Sequence, residues 1–324
     1  APHSITGYDV VISNSLYKET DFTFSGTASA SRTHVVEGTD TDGTTDMGLA
    51  ASQFTNNNAN FANVTFAVTD GYQTINPINA TVTITGNSTT KTYDGTEYSA
   101  SGYTATTDSV LYDTDHDFTF SGTASAARTN EGTTNMGLEP SQFANTNGNF
   151  ATVTFNVTDG YQEITPVTDE LVVTITGNTS TVDYDGGAHT VTGYTATASN
   201  ALYDTDHDFT FSGAASASRT DAGTTNMGLA ASQFTNTNTN FTNVTFEVTD
   251  GYQKIDPIDV TVTITGNTST EVYDGASHSV TGYTATASSA LYDTDNDFTF
   301  SGSATASRTD AGTTNMGLDP SQFA

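Results

Sequence analysis

The chain contains no cysteine and no tryptophan, and only 7 of its 324 residues are lysine or arginine. Without cysteine there is no disulfide, no thiolate nucleophile and no Cys-based metal cluster. The shortage of basic residues excludes more. Against 37 aspartates and glutamates it leaves a formal net charge of −30, whereas affinity for phosphate backbones or anionic lipid requires a basic face. Nucleic acid is therefore not an expected partner. No apolar run approaches the roughly 18 residues of a membrane-spanning helix, so no membrane insertion is expected of this segment. Proline is scarce too, with 6 residues, three of which recur in a single motif.

What the chain does contain is threonine, serine, glycine, asparagine and aspartate, with 15 tyrosines and 18 phenylalanines. That mixture favours strands joined by many turns. Aromatic and β-branched residues recur in ordered alternation, which argues against disorder.

The chain repeats itself. All four methionines lie in "TTDMGL" or "TTNMGL" (Met47, Met136, Met227, Met316), and all four arginines in "SRT" or "ART" (Arg32, Arg128, Arg219, Arg308). A period near ninety residues follows. The first copy carries seven extra residues between Arg32 and Met47, within "HVVEGTDTDG". The third gains two in "TPVTDELVVTITG". Insertions that leave the remainder in phase are expected on surface connections.

Within a unit the pattern reads as strands. "NVTFEVTDGYQKI" alternates Val244, Phe246 and Val248 with Thr245, Glu247 and Thr249, a period of two. Asp250–Gly251, like Asp70–Gly71 and Asp159–Gly160, then predicts a tight hairpin turn. "TVTITG", "VTGYTATAS" and "DFTFSGSATAS" are further strand candidates, and "LAASQFTN" and "LEPSQFAN" allow a turn or two of helix. Pro77, Pro166 and Pro257 stand where each unit's last strand should stop. The expected fold class is thus all-β: a tandem array of Ig-like β-sandwich repeats, with β-grasp-like units as the alternative. The boundaries fall at 1–78, 79–168, 169–258 and 259–324. The first unit lacks its opening strands and the last its closing hairpin. The ends then read as an excerpt of a longer array, or as halves that complete one another between molecules in a self-assembling fibre.

These motifs carry a resemblance. "YDG" at Tyr93–Gly95, Tyr184–Gly186 and Tyr273–Gly275, then "GYTAT", "DFTFSG", "NF" and "VTDGYQxIxP", in that order, resemble the MBG/YDG-type repeats of large bacterial surface proteins. The resemblance spans the whole chain and implies adhesin-like or spacer modules on a cell surface or in secreted protein, with no catalytic residue to carry over. The second copy departs from the pattern, reading "EYSASGY" where the others place His189 and His278, which argues against a required histidine.

The most conspicuous candidate site is the aspartate triplet: Asp113, Asp115, Asp117; Asp204, Asp206, Asp208; Asp293, Asp295, Asp297. If extended, each triplet shares one face, and a D-x-D-x-D run supplies several oxygens to calcium. A Ca2+ site is one reading. Against it, phenylalanine rather than glycine follows the third aspartate, no glutamate closes the loop, and the first copy reads "LYKETDFTF". A solvated turn is the other reading, with its last aspartate (Asp117, Asp208, Asp297, and Asp21 in the first copy) acting as cap. Nothing in such a triplet drives two carboxyl pKa values apart as acid–base catalysis requires, so no enzyme is expected and no cofactor besides calcium is implied.

The repeated arginines suggest guanidinium–carboxylate forks at a sandwich edge. The methionines suggest core filling. Lys18, Lys91 and Lys254 occupy unrelated positions, which excludes a per-repeat isopeptide. The sequons at Asn63, Asn156, Asn178, Asn243 and Asn267 are what an Asn- and Thr-rich chain produces. Two functions remain. One is a non-catalytic stalk or fibre segment, extracellular on a bacterial surface, whose partners are its neighbouring repeats. The other is a set of adhesive beads binding a glycan or host surface protein through Tyr112, Tyr203 and Tyr292 with Tyr103, Tyr194 and Tyr283.

Overall fold

The second repeat shows how these residues assemble. In the computed structural model, which describes all 324 residues, it forms ten strands: β1 (Ile78–Gly86), β2 (Thr89–Thr92), β3 (Tyr98–Ser101), β4 (Tyr103–Thr107), β5 (Phe118–Phe120), β6 (Ser125–Arg128), β7 (Gly132–Asn135), β8 (Phe143–Asn145), β9 (Phe150–Thr158) and β10 (Tyr161–Thr165). They make four small sheets. β1 is central in the order β4–β1–β9, antiparallel to β4 and parallel to β9. β10 is central in β7–β10–β2, antiparallel to β7 and parallel to β2. β5 pairs with β8 and β3 with β6, both antiparallel. The third repeat copies the plan: 171–177 lies between 194–198 and 244–249, and 252–256 between 179–183 and 223–226.

The chain is all-β, and "PSQ" or "ASQ" supplies only a three-residue 3-10 turn per repeat. By compactness it divides at 1–167 and 168–324. The first unit holds the first two repeats and the second holds the last two; each is described by itself.

Long extended segments change sheets at glycines, the usual way to make a corner between packed sheets. "VTGYTATAS"-type segments read as one strand but split into two, because Gly102 takes φ +80° and sends β3 and β4 to different partners. β1–β2 and β9–β10 turn together. At Gly86 and Gly160 the two backbones approach so closely that a Cβ on either would overlap the other. Gly177 and Gly251 repeat the contact in the third repeat.

That geometry corrects the hairpin expectation. β9 and β10 flank Asp159–Gly160 but never pair; each runs parallel to a strand some seventy residues earlier. Gly160 has no positive φ. Asp159 instead turns back, and its two carboxylate oxygens accept the Gly137 and Leu138 amides at 3.0 Å each. Asp250 does the same for Gly228 and Leu229, and Asp70 for Gly48 and Leu49. The dipeptide therefore clamps the Met-Gly-Leu loop at a sheet-to-sheet crossing.

Two cores result in the second repeat. One is aromatic: Ala80, Val82, Ile84, Tyr112, Phe143 and Phe150 are buried, with Tyr103, Phe118, Phe120 and Phe155 packed against them. Phe143 stacks on Phe120 at 4.8 Å and on Phe155 at 5.7 Å between centroids, and Tyr103 meets it edge-on at 5.4 Å. The other core is small, built on Ala100, Ala126, Met136 and Leu138. Met136 thus does fill a core position. Nearby, Ile164 and a glutamine, Gln162, are fully buried on β10.

The first and fourth repeats show partial ladders. In the first, 3–6 pairs with 29–32, 22–24 with 54–56 and 44–46 with 72–74. Residues 63–68 carry the alternation of β9 but lie in no ladder, since nothing upstream in this sequence corresponds to β1. In the fourth, 262–266 pairs with 283–287 and 278–281 with 305–308. A groove of about 840 Å³ lies there between 266–273 and 306–318. The matching place in the second repeat is filled by β10.

Candidate functional site

The aspartate triplets are turns, not extended faces. The Asp117 amide donates to the Asp113 carbonyl at 2.9 Å, and the Asp113 amide donates to Asp117 Oδ2 at 2.8 Å. One helical turn is thereby closed from both ends. Asp113 Oδ1 accepts the Asp115 amide, and Asp113 Oδ2 meets His116 Nδ1, both at 2.9 Å. The Asp115 amide, and then His116, hold the Asp113 carboxyl below the usual range. Its hydrogen bond to Asp113 raises the His116 pKa in turn. The third repeat is the same with Asp204, Asp208 and His207. In the fourth, Asn296 replaces the histidine on Asp293.

The three carboxylates of a triplet do not converge: no group of three or more acidic or imidazole side chains is placed to hold a metal ion. Of the two readings, a shared face if extended and a solvated turn, the structure has the turn: Asp113, Asp115 and Asp117 are wound around it, as are their counterparts. The last aspartate is a cap in every copy, including Asp21, whose Oδ2 accepts the Lys18 amide at 2.8 Å.

Behind the turn lies a network that strand periodicity alone does not reveal. The Tyr112 hydroxyl donates to the Asp117 carbonyl at 2.9 Å and to Asn145 Oδ1 at 3.2 Å. Asn145 Oδ1 also accepts the Asn147 amide, and Asn147 Oδ1 accepts the Asn149 amide, both at 3.0 Å. Asn147 Nδ2 returns to Asp117 Oδ2 at 2.7 Å. Tyr203, Asp208, Asn236, Asn238 and Asn240 repeat the circuit. Its sequence signal is the alternation of asparagines in "FANTNGNF", "FTNTNTNF" and "FTNNNANF".

Of the tyrosines nominated as adhesive contacts, two belong to the core and four are half-buried. Tyr112 and Tyr203 are 4 % exposed, each packed edge-on against a phenylalanine, Phe150 and Phe241. Burial pushes both phenols up to about 12. Tyr103 and Tyr194 pack against Phe143 and Phe234, and Tyr283 against Phe300 and Phe323. Tyr292 donates to the Asp297 carbonyl at 2.9 Å.

The arginines grip carbonyls rather than the expected carboxylates. Arg219 donates to the carbonyls of Asp221 and Ala222 at 2.7 Å each and to Thr225 Oγ1 at 3.3 Å. Arg128 and Arg308 repeat this with their own loops. Only Arg32 has a carboxylate, Asp40 Oδ2 at 2.7 Å. A five-donor planar fork suits a tight loop of converging carbonyls.

The aspartate of "YDG" binds whichever polar ring the copy offers. Asp185 and Asp274 hold His189 and His278 at 2.9 Å, while Asp94 accepts the Tyr98 hydroxyl at 2.7 Å. The histidine is therefore interchangeable, and its role is to pin a loop.

No family model matches the chain, and no curated protein or solved structure matches it.

Proposed function

We propose that the chain is a non-catalytic spacer: a tandem array of Ig-like β-sandwich repeats within an extracellular stalk or fibre of a bacterial surface protein. The observation that carries the reading is where the repeated polar residues go. Apart from one bond from Val35 of the first repeat to Asn149 of the second, the motifs with chemical promise (aspartate turn, asparagine ladder, arginine fork, "YDG" aspartate) direct their hydrogen bonds at the repeat's own backbone and side chains. Repeating such a unit adds length and multiplicity, not a new pocket. The net charge of −30 keeps such arrays soluble and mutually repelling. The bacterial and extracellular parts rest on the resemblance to MBG/YDG-type repeats.

Burial of Tyr112 and Tyr203 favours this over the adhesive reading, which relied on those rings. Excising residues 169–258, one whole repeat, tests it by small-angle scattering. A spacer loses maximum dimension on the order of 30 Å, the size of a ninety-residue domain. An unchanged dimension contradicts it. Melting with calcium and with EDTA tests the turn assignment alongside: a cap predicts the same midpoint in both, and a calcium-dependent rise would make the triplets ligands.

A further inference from the structure

The seven-residue insertion of the first repeat was expected to be a surface excursion, yet Val35 within it is only 7 % exposed. Its loop is ordered by its own bonds. Glu37 Oε1 accepts the amides of Thr33 and His34 at 2.7 and 2.9 Å. Arg32 reaches the carbonyls of His34 and Val35 at 2.8 and 2.6 Å and Asp40 Oδ2 at 2.7 Å. Arg32 is 2 % exposed, whereas its three counterparts are half-buried or exposed. This internally bonded loop does not end in solvent. The Val35 amide donates to Asn149 Oδ1 at 2.8 Å, the last rung of the second repeat's asparagine ladder. Next to it, Val36 stands where a Cβ on Gly148 would be, and the two would overlap.

Gly148 is peculiar to the second repeat. The first and third carry Ala59 and Thr239 at that position. Gly148 has no positive φ, so its backbone does not demand glycine; the approach of Val36 does. The one copy with the long arginine loop thus precedes the one copy with a recess to receive it. We infer that residues 34–40 and Gly148 form a matched joint, by which the first repeat recognises the second specifically as its neighbour. The partner surface is the asparagine turn 147–149 of a repeat with glycine at its centre. A two-sided fit of this kind discriminates by collision as well as by contact. It stands apart from the spacer reading, because it concerns which repeats adjoin rather than what the array does.

Hydrogen exchange of the full chain, followed by mass spectrometry over peptides covering 33–43, tests it. Gly148→Thr, the residue the third repeat tolerates in the same turn, should speed exchange across 33–43 at least tenfold and leave 80–84 and 153–157 unchanged. Asn149→Ala should speed it by a smaller factor, since it removes the bond without a clash. Val36→Gly combined with Gly148→Thr should restore protection towards the parent. Deleting 34–40, which returns the Arg–Met spacing to that of the other copies, should make Gly148→Thr silent. Should Gly148→Thr unfold the second repeat, the same deletion must rescue it. Unchanged protection in Gly148→Thr, or damage that neither Val36→Gly nor the deletion relieves, overturns the joint.

Discussion

Each complete repeat has two unlike halves. Around β1, β4 and β9 the interior is phenylalanine and tyrosine rings; around β2, β7 and β10 it is alanine, methionine and leucine beside a buried glutamine. The same chain segments run through both halves, so the difference lies in what fills each end. The aromatic half draws on large apolar area and ring geometry. The small-residue half has less apolar surface to bury, and its loops are held by directed bonds: the arginine fork, the "YDG" aspartate and the Asp159-type clamp. The aromatic end has directed bonds of its own in the network behind Tyr112, but it has far more ring area to lose, so the two ends should fail differently.

Truncating the centre of the aromatic half should do the most damage. Phe143→Ala removes a ring in contact with Tyr103, Phe118, Phe120 and Phe155 and should cost about 3–5 kcal/mol. Met136→Ala, in the other half, should cost about 2 kcal/mol. Urea titration of the full chain measures both, and equal losses would erase the distinction.

The small-residue half also responds to a polar change. Gln253 Oε1 is buried with no hydrogen-bond partner, while its counterpart Gln162 accepts a bond from the Thr89 hydroxyl. Ser180 is the residue aligned with Gln253 in the parallel ladder. Ser180→Thr should seat a hydroxyl as Thr89 does and stabilise the third repeat by about 1 kcal/mol. A loss of stability in the same urea titration would refute that.

A smaller effect separates the halves by pH. Tyr112 and Tyr203, buried in the aromatic half, have phenols pushed up to about 12 against about 10 in the unfolded chain. The folded state holds those protons more tightly. Its extra stability is therefore complete below about pH 10 and drains away as pH rises towards 12. Phenolate absorbance should show two of the 15 tyrosines titrating last, with Tyr112→Phe and Tyr203→Phe each removing one from the late phase. A single step near pH 10 contradicts this.

Much of the fold was legible in the residues. Repeats announce themselves through Met-Gly-Leu and Ser-Arg-Thr, and alternation identifies 153–158 and 82–86 as strands. Pairing was not legible. Asp-Gly suits a hairpin by local preference, but at 159–160 tertiary demands prevail: the glycine is there for room beside Gly86, and the aspartate serves amides more than twenty residues earlier. Local propensity carries no information about a partner strand seventy residues upstream. The triplets left two readings open, an extended face and a solvated turn, and the structure has the turn. Alternation implies one face only in a strand, and Asp117 capping the Asp113 amide winds the segment into a turn instead. The cap itself was foreseeable, because that aspartate persists when the other two change. The tyrosines' burial could be anticipated from the asparagine that follows each "QF" strand and supplies a hydroxyl partner.

The absence of cysteine makes the central claim, closure of each complete repeat by parallel pairing of its first two strands with its last two, directly measurable. Thr83 and Asn156 are exposed partners across β1 and β9, at a parallel-strand separation within disulfide range. Glu163 would oppose Asn156 instead if Asp159–Gly160 closed a two-residue hairpin. Oxidation of the Thr83→Cys/Asn156→Cys chain should give an intramolecular disulfide in high yield, and the Asn156→Cys/Glu163→Cys chain should give none. The reverse outcome would show that the strands fold back on each other and that the parallel closure is wrong.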